Sequence, residues 1–197
     1  SVEGKENEAD FNATTRETIA TIHRAKNEKN IPFSVFKVTG LARFALLEKC
    51  STGEALTSEE ELEFTKVHQR VNSICEAAFH ANVPVFIDAE ESWIQVAIDD
   101  LANEMMEKFN KQRAIVYNTY QLYRHDRLDY LKASFADAEK KNYFLGAKLV
   151  RGAYMEKERE RAANKGYSSP IQETKDATDK DYNAALEYCV THNKRIA

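Results

Sequence analysis

Glycine and proline are scarce in this chain, six and three of 197 residues, and nowhere do they gather. A flexible linker or a Pro-rich tract is thereby excluded, and with no internal repeat one continuous domain is the simplest organisation. Cysteine is equally sparse. Cys50, Cys75 and Cys189 are odd in number, widely spaced and outside any C-x-x-C pattern, so neither a disulfide framework nor a zinc site is indicated and a reduced compartment is expected. The five histidines, His23, His68, His80, His125 and His192, never fall at H-x-x-x-H or H-E-x-x-H spacing, and no metal site is expected. No apolar run approaches the roughly 20 residues that cross a bilayer. The opening Ser1 to Asp10 is polar and acidic, unlike a signal or transit peptide. A net charge of -4 gives no electrostatic reason to expect nucleic acid as a partner.

What is present is a globular composition, 43% hydrophobic and 30% charged, which sets the chain apart from a disordered tail. Short β-rich runs occur at Phe33–Val38, Val83–Asp88, Ala114–Thr119 and Phe144–Val150, and Arg195–Ala197 reads as another just opening. Between them lie helical stripes. Ser58-x-x-Glu61 has the form of a capping box, and Phe64, Val67, Val71, Ile74 and Ala78 follow at alternating intervals of three and four. Similar stripes run through Ile94, Ile98, Leu101 and Met105, through Leu128, Leu131, Phe135 and Ala138, through Tyr182, Ala185 and Cys189, and through Phe11, Thr15, Ile19 and Ile22. The charged run Glu156–Arg161 reads as a solvated helix face.

Helix and strand therefore alternate, as an α/β fold with parallel strands requires. Pattern alone leaves an open doubly wound sheet and a closed (β/α)8 barrel both available. The absence of G-x-G-x-x-G or G-x-x-x-x-G-K-[ST] removes the motif support for the open sheet, so a TIM-type barrel is preferred. Such barrels take about 250 residues. With four or five strands, no initial Met and an end on Arg195-Ile196-Ala197, the expectation is an incomplete barrel, residues 1–197 forming one partial domain.

Four polar residues stand in or at the end of the strand runs. Period-two alternation gives Lys37 the facing of Val35, Asp88 that of Phe86, Asn118 that of Val116 and Lys148 that of Val150, and the four are expected to converge on one face. The carboxyl ends of barrel strands form the active-site rim, which gives them a functional reading; surface positions and structural ion pairs are the bland one. Lys37 opposite Asp88 has the charges to hold a zwitterion, or simply to form a structural pair. His68 and His80 read as surface or cap residues and Trp93 as packing. Tyr154 reads as packing too, although it follows Gly152-Ala153 at a strand end, where backbone can approach a ligand.

The segments Phe86-Ile-Asp-Ala-Glu-Glu91, Val116-Tyr-Asn-Thr-Tyr-Gln121 and Gly146-Ala-Lys-Leu-Val-Arg-Gly-Ala-Tyr154, supported by Phe36-Lys-Val-Thr-Gly40 and Ser169-Pro-Ile171, resemble the proline dehydrogenase family in content and order. The resemblance implies a distorted (β/α)8 barrel that holds FAD, oxidises L-proline to 1-pyrroline-5-carboxylate by hydride transfer to flavin N5, and passes electrons to a quinone. It implies peripheral contact with the bacterial inner membrane on its cytoplasmic side, or with the mitochondrial inner membrane on its matrix side. Lys37 looks like the lysine that binds the proline carboxylate, and Tyr154 like a tyrosine of the substrate pocket. Asp88 resembles the catalytic aspartate beside substrate and flavin. Asn118 falls where members often have a glutamine touching the isoalloxazine ring. Lys148 stands for an arginine near flavin N5, keeping its charge but losing its planar fork. Val150, Arg151, Gly152 and Ala153 match the segment that runs past the cofactor. The last barrel strands and the final helix, which clamps the substrate, lie outside residues 1–197, so this chain alone is expected to be weakly active or inactive. The alternatives are a barrel aldolase with Lys37 as Schiff-base nucleophile and a non-catalytic interaction fragment.

Overall fold

The computed structural model describes residues 6–28 and 30–197; residues 1–5 of the polar opening segment lie outside the described residues. The chain starts with helix α1 (Glu8–Asn27), capped by the Asn7 side chain, which accepts from the Asp10 N–H at 2.9 Å. Phe11, Thr15, Ile22 and Ala25 form its buried stripe. Strand β1 (Ser34–Phe36) follows, then a short 3-10 turn at Val38–Gly40 and helix α2 (Phe44–Thr52), which buries Leu46 and Leu47 and stops at Gly53 with φ 73°. No stripe in the sequence announces α2, because nine residues with two buried positions fall short of a resolvable period.

Helix α3 (Ser58–Ala81) carries a capping box one residue earlier than expected: Thr57 and Glu60 make the reciprocal bonds, at 3.1 and 3.3 Å. T-x-x-E and S-x-x-E overlap at Thr57–Glu61, and it is the extended backbone of Thr57 that selects the first. Strand β2 (Val85–Ile87), helix α4 (Ser92–Phe109), strand β3 (Val116–Gln121), helix α5 (Arg127–Lys141), strand β4 (Ala147–Val150), helix α6 (Met155–Lys165) and helix α7 (Lys175–Thr191) complete the alternation.

The strands pair in parallel in the order β1-β2-β3-β4. That order separates the two architectures the pattern left open. A doubly wound sheet reverses direction at a switch point, whereas strands that add one after another in one direction make the arc of a barrel. The arc continues at the chain end: the Ala197 N–H donates to the Leu145 carbonyl at 2.9 Å, and the Ala147 N–H to the Ala197 carbonyl at 2.8 Å.

The two faces of the arc differ. Val85, Ile87, Val116 and Tyr120 are fully buried, in one core with Ile74, Ile94, Ile98 and Leu101 of the helices; each such aliphatic contributes about 1.5–3 kcal/mol of burial. On the concave face Phe33 stacks on Phe86 at 4.5 Å and Phe86 meets Tyr117 at 4.9 Å, while Phe33 and Val35 remain 43% and 41% exposed. The next position is Gly146, where a Cβ would stand 2.3 Å from the Val116 carbonyl oxygen and 2.8 Å from the Tyr117 ring. Only glycine fits there, so β4 can close on β3 beneath that ring.

Candidate active site

The parallel register fixes which side chains share the carboxyl ends of the strands. Val35 pairs with Phe86, and two positions further along on the same face stand Lys37 and Asp88. Thr119 pairs with Lys148, and Gln121 with Val150. Lys37, Asp88, Thr119, Gln121, Lys148, Val150, Gly152, Ala153 and Tyr154 line one cleft of about 220 Å³. A groove of about 550 Å³ between α1 and α3 is larger, but it holds none of the residues at the carboxyl ends of the strands; Lys66 and Arg70 in it pair with Glu8.

Two pairs organise the cleft. Lys148 reaches from β4 over β3 to Asp88, just past the end of β2, Nζ to Oδ1 3.0 Å. The span is possible because the residue beneath is a buried threonine whose hydroxyl is turned into the sheet, Thr119 Oγ1 donating to the Ile87 carbonyl at 2.8 Å. Lys37 Nζ donates to the Tyr154 hydroxyl at 2.9 Å. Burial pushes the Tyr154 phenol up, against the opposing pull of Lys37, so it remains a neutral hydroxyl at physiological pH.

Asn118 does not join them. It lies one residue out of phase with Lys37, Asp88 and Lys148, pairs with Ile87 and Ala147, and points into the helix layer fully buried. There its Nδ2 donates to Asp99 Oδ1 at 2.9 Å and its Oδ1 accepts from the Thr119 N–H at 2.9 Å. Asp99 in turn bonds Gln95 and Arg127, so Asn118 is tied into a buried polar network. The expected four-residue convergence is thus three residues, with Gln121 as the amide of the cleft. Gln121 Nε2 donates to the Glu90 carbonyl at 2.7 Å and to the Tyr123 hydroxyl at 2.8 Å, while its Oε1 is buried without a partner among the described residues. Alternation counted from Thr119 would have pointed to it.

Glu90 was also missed. Its carboxylate, 2% exposed, accepts from the Thr39 hydroxyl at 2.5 Å and the Thr39 N–H at 3.1 Å, and burial pushes its pKa up despite those bonds. Val150, Gly152 and Ala153 line the cleft. Arg151 turns away instead, pairing with Asp179 at 3.2 Å and stacking over Tyr182 at 4.7 Å. With Arg159, Lys175 and the start of α7 it walls an adjoining pocket of about 440 Å³.

A sequential parallel arc with its charged side chains gathered at the carboxyl ends of the strands places the chain in the class of TIM-barrel-type α/β proteins. Solved structures agree: proline utilization A from Bradyrhizobium japonicum superposes with a TM-score of 0.81 at 20% identity, covering 99% of this chain and 20% of that one. The Bdellovibrio bacteriovorus protein gives 0.80 at 16%, covering 98% and 21%. The family model described as proline dehydrogenase matches residues 1–197, and the chain belongs to that family. It is 36% identical over 165 residues to human mitochondrial proline dehydrogenase 1, covering 81% of this chain and 28% of the relative. It is 33% identical over 196 residues to the carbapenem antibiotics biosynthesis protein CarD of Pectobacterium carotovorum, covering 100% and 51%. The chain therefore spans between about a quarter and a half of these two relatives.

Proposed function

We propose that the protein oxidises L-proline to 1-pyrroline-5-carboxylate with FAD as its cofactor, and that the electrons pass on to a quinone at a bacterial or mitochondrial membrane. The observation that carries this reading is the pair of contacts in one cleft, Lys37 on Tyr154 and Lys148 on Asp88, in a member of the proline dehydrogenase family. Residues 1–197 are read as part of a longer barrel, in keeping with the share of the relatives they span, so the chain alone has weak activity at most.

The residues present fit a flavin. The Gln121 Oε1 is a buried acceptor in want of an N–H, and an isoalloxazine ring carries one. Gly152 and Ala153 are exposed and small, which lets a flat ring approach their backbone. Arg151, Arg159 and Lys175 beside the N-terminus of α7 have the charge to suit a diphosphate, which would compete with Asp179 for Arg151 and Lys175 and with Glu156 for Arg159. Bound there, FAD supplies the hydride acceptor.

The chain's own residues hold and polarise the substrate. The Lys37 ammonium and the Tyr154 hydroxyl are two donors 2.9 Å apart, suited to one carboxylate. Asp88, the carboxylate that lines the cleft, is the acceptor for the proton on the proline ring nitrogen. Lys148 is held in the cleft by Asp88 as a fixed cation, favouring negative charge that develops nearby.

An absorbance spectrum of the purified protein with added FAD, taken before and after anaerobic L-proline, tests this. Bound flavin that bleaches with proline is expected of the protein with its barrel complete; flavin that binds and ignores proline would remove the substrate assignment, and failure to bind would remove the cofactor.

A further inference from the structure

Helix α6 joins the cleft to the outer layer by unusual means. Of its eleven residues only Glu158 and Ala162 are buried, so it has little apolar surface to hold it. Polar contacts hold it instead. Helix α4 starts at Ser92 without a side-chain cap of its own, since Glu91 makes none. Its cap comes from α6: Glu158 Oε1 accepts from the Ser92 N–H at 2.6 Å and Oε2 from the Ser92 hydroxyl at 2.7 Å. At 1% exposure this carboxylate is enclosed, and a negative charge at a helix N-terminus is favourable. Lys157 pairs with Glu91. Arg161 pairs with Glu48 at 2.6 Å and lies over the Trp93 ring at 4.1 Å.

The first turn of α6 begins at Tyr154, whose carbonyl accepts from the Glu158 N–H at 2.9 Å. Tyr154 is thus rigidly connected to the carboxylate one turn on. Its hydroxyl end meets Lys37, which comes from a strand 117 positions earlier.

We propose that Glu158 is a positioning residue: by clamping α6 onto the start of α4 it sets the rotation of that helix, and with it the placement of the Tyr154 hydroxyl against Lys37. Glu158 touches neither substrate nor cofactor and acts through Tyr154. The kinetic arm below rests on the proposed proline oxidation; the spectroscopic arm does not.

The test compares Glu158→Ala, Glu158→Gln, Tyr154→Phe and the double variant Glu158→Ala/Tyr154→Phe in the flavin-loaded protein. Glu158→Ala raises KM for L-proline on the order of tenfold, the value of one charged hydrogen bond, and leaves kcat within about twofold. The double variant is no worse than Tyr154→Phe, because both changes remove the same contact. Glu158→Gln, which can still accept one of the two Ser92 donors, recovers part of the loss. Additive losses in the double variant, or an unchanged KM with only a lower melting temperature, overturn the proposal and leave Glu158 a helix cap. Fluorine NMR of protein labelled with 3-fluorotyrosine, with the Tyr154 signal assigned through Tyr154→Phe, reads the same placement without turnover. A displaced signal in folded Glu158→Gln or Glu158→Ala supports the proposal even if proline is not the substrate, and an unmoved signal in both overturns it.

Discussion

Asn118 and Gln121 are amides three positions apart on β3, so they face opposite sides of the sheet. That parity decides their roles. Replacing Asn118 with Ala leaves the Thr119 N–H unpaired in the core and takes from Asp99 Oδ1 one of its two donors, Gln95 remaining, at a cost of about 2 kcal/mol. The expected result is a lower urea midpoint with the flavin spectrum of the folded fraction unchanged; lost flavin at normal stability would put Asn118 back at the cofactor. Glu90 gives a pH signature. With its folded pKa raised above the ordinary 4.5, the native state keeps a proton that the unfolded chain has released, so stability falls as pH climbs from 4.5 through the raised value. Glu90→Gln has no such proton, and urea unfolding across that range should give it the flatter profile. Parallel profiles would show that Glu90 does not titrate there.

At the scale of elements, most of the helices and strands were legible because their periods are local. The stripe Val67, Val71, Ile74 and Ala78 is buried in α3 as the spacing predicts; the run Glu156–Arg161 is helical in α6 but is not a wholly solvated face, because Glu158 is buried against Ser92. Boundaries were less legible. The capping box sits at Thr57 and Glu60, and α2 packs Leu46 and Leu47 without a periodic stripe. Thr57→Ala should lower stability by about 1 kcal/mol, read as a shift in urea midpoint with unchanged slope. Ser58→Ala, outside the box, should shift it far less; equal shifts would return the cap to Ser58.

At the scale of the whole molecule, the strand order makes one face of the arc a core and leaves the other open. Phe33 and Val35, each more than 40% exposed, sit beside Phe86 and Tyr117 on that open face. A contiguous apolar surface of this kind favours association. The 197-residue chain studied alone is expected to self-associate with rising concentration in sedimentation velocity, and Phe33→Lys with Val35→Lys to reduce it; unchanged association would place the contact elsewhere.

Local periodicity by itself determined the α/β alternation, the helical stripes and the short strands that carry Lys37, Asp88 and Lys148, because side chains repeat every two or 3.6 residues whatever surrounds them. The segments of family resemblance were equally written in the chain. Tertiary structure alone decided that Gln121 and not Asn118 enters the cleft, that Lys148 crosses Thr119 to reach Asp88, and that Glu158 caps α4. Those outcomes rest on strand register and on contacts between residues 31, 60 and 66 positions apart, which no local period encodes.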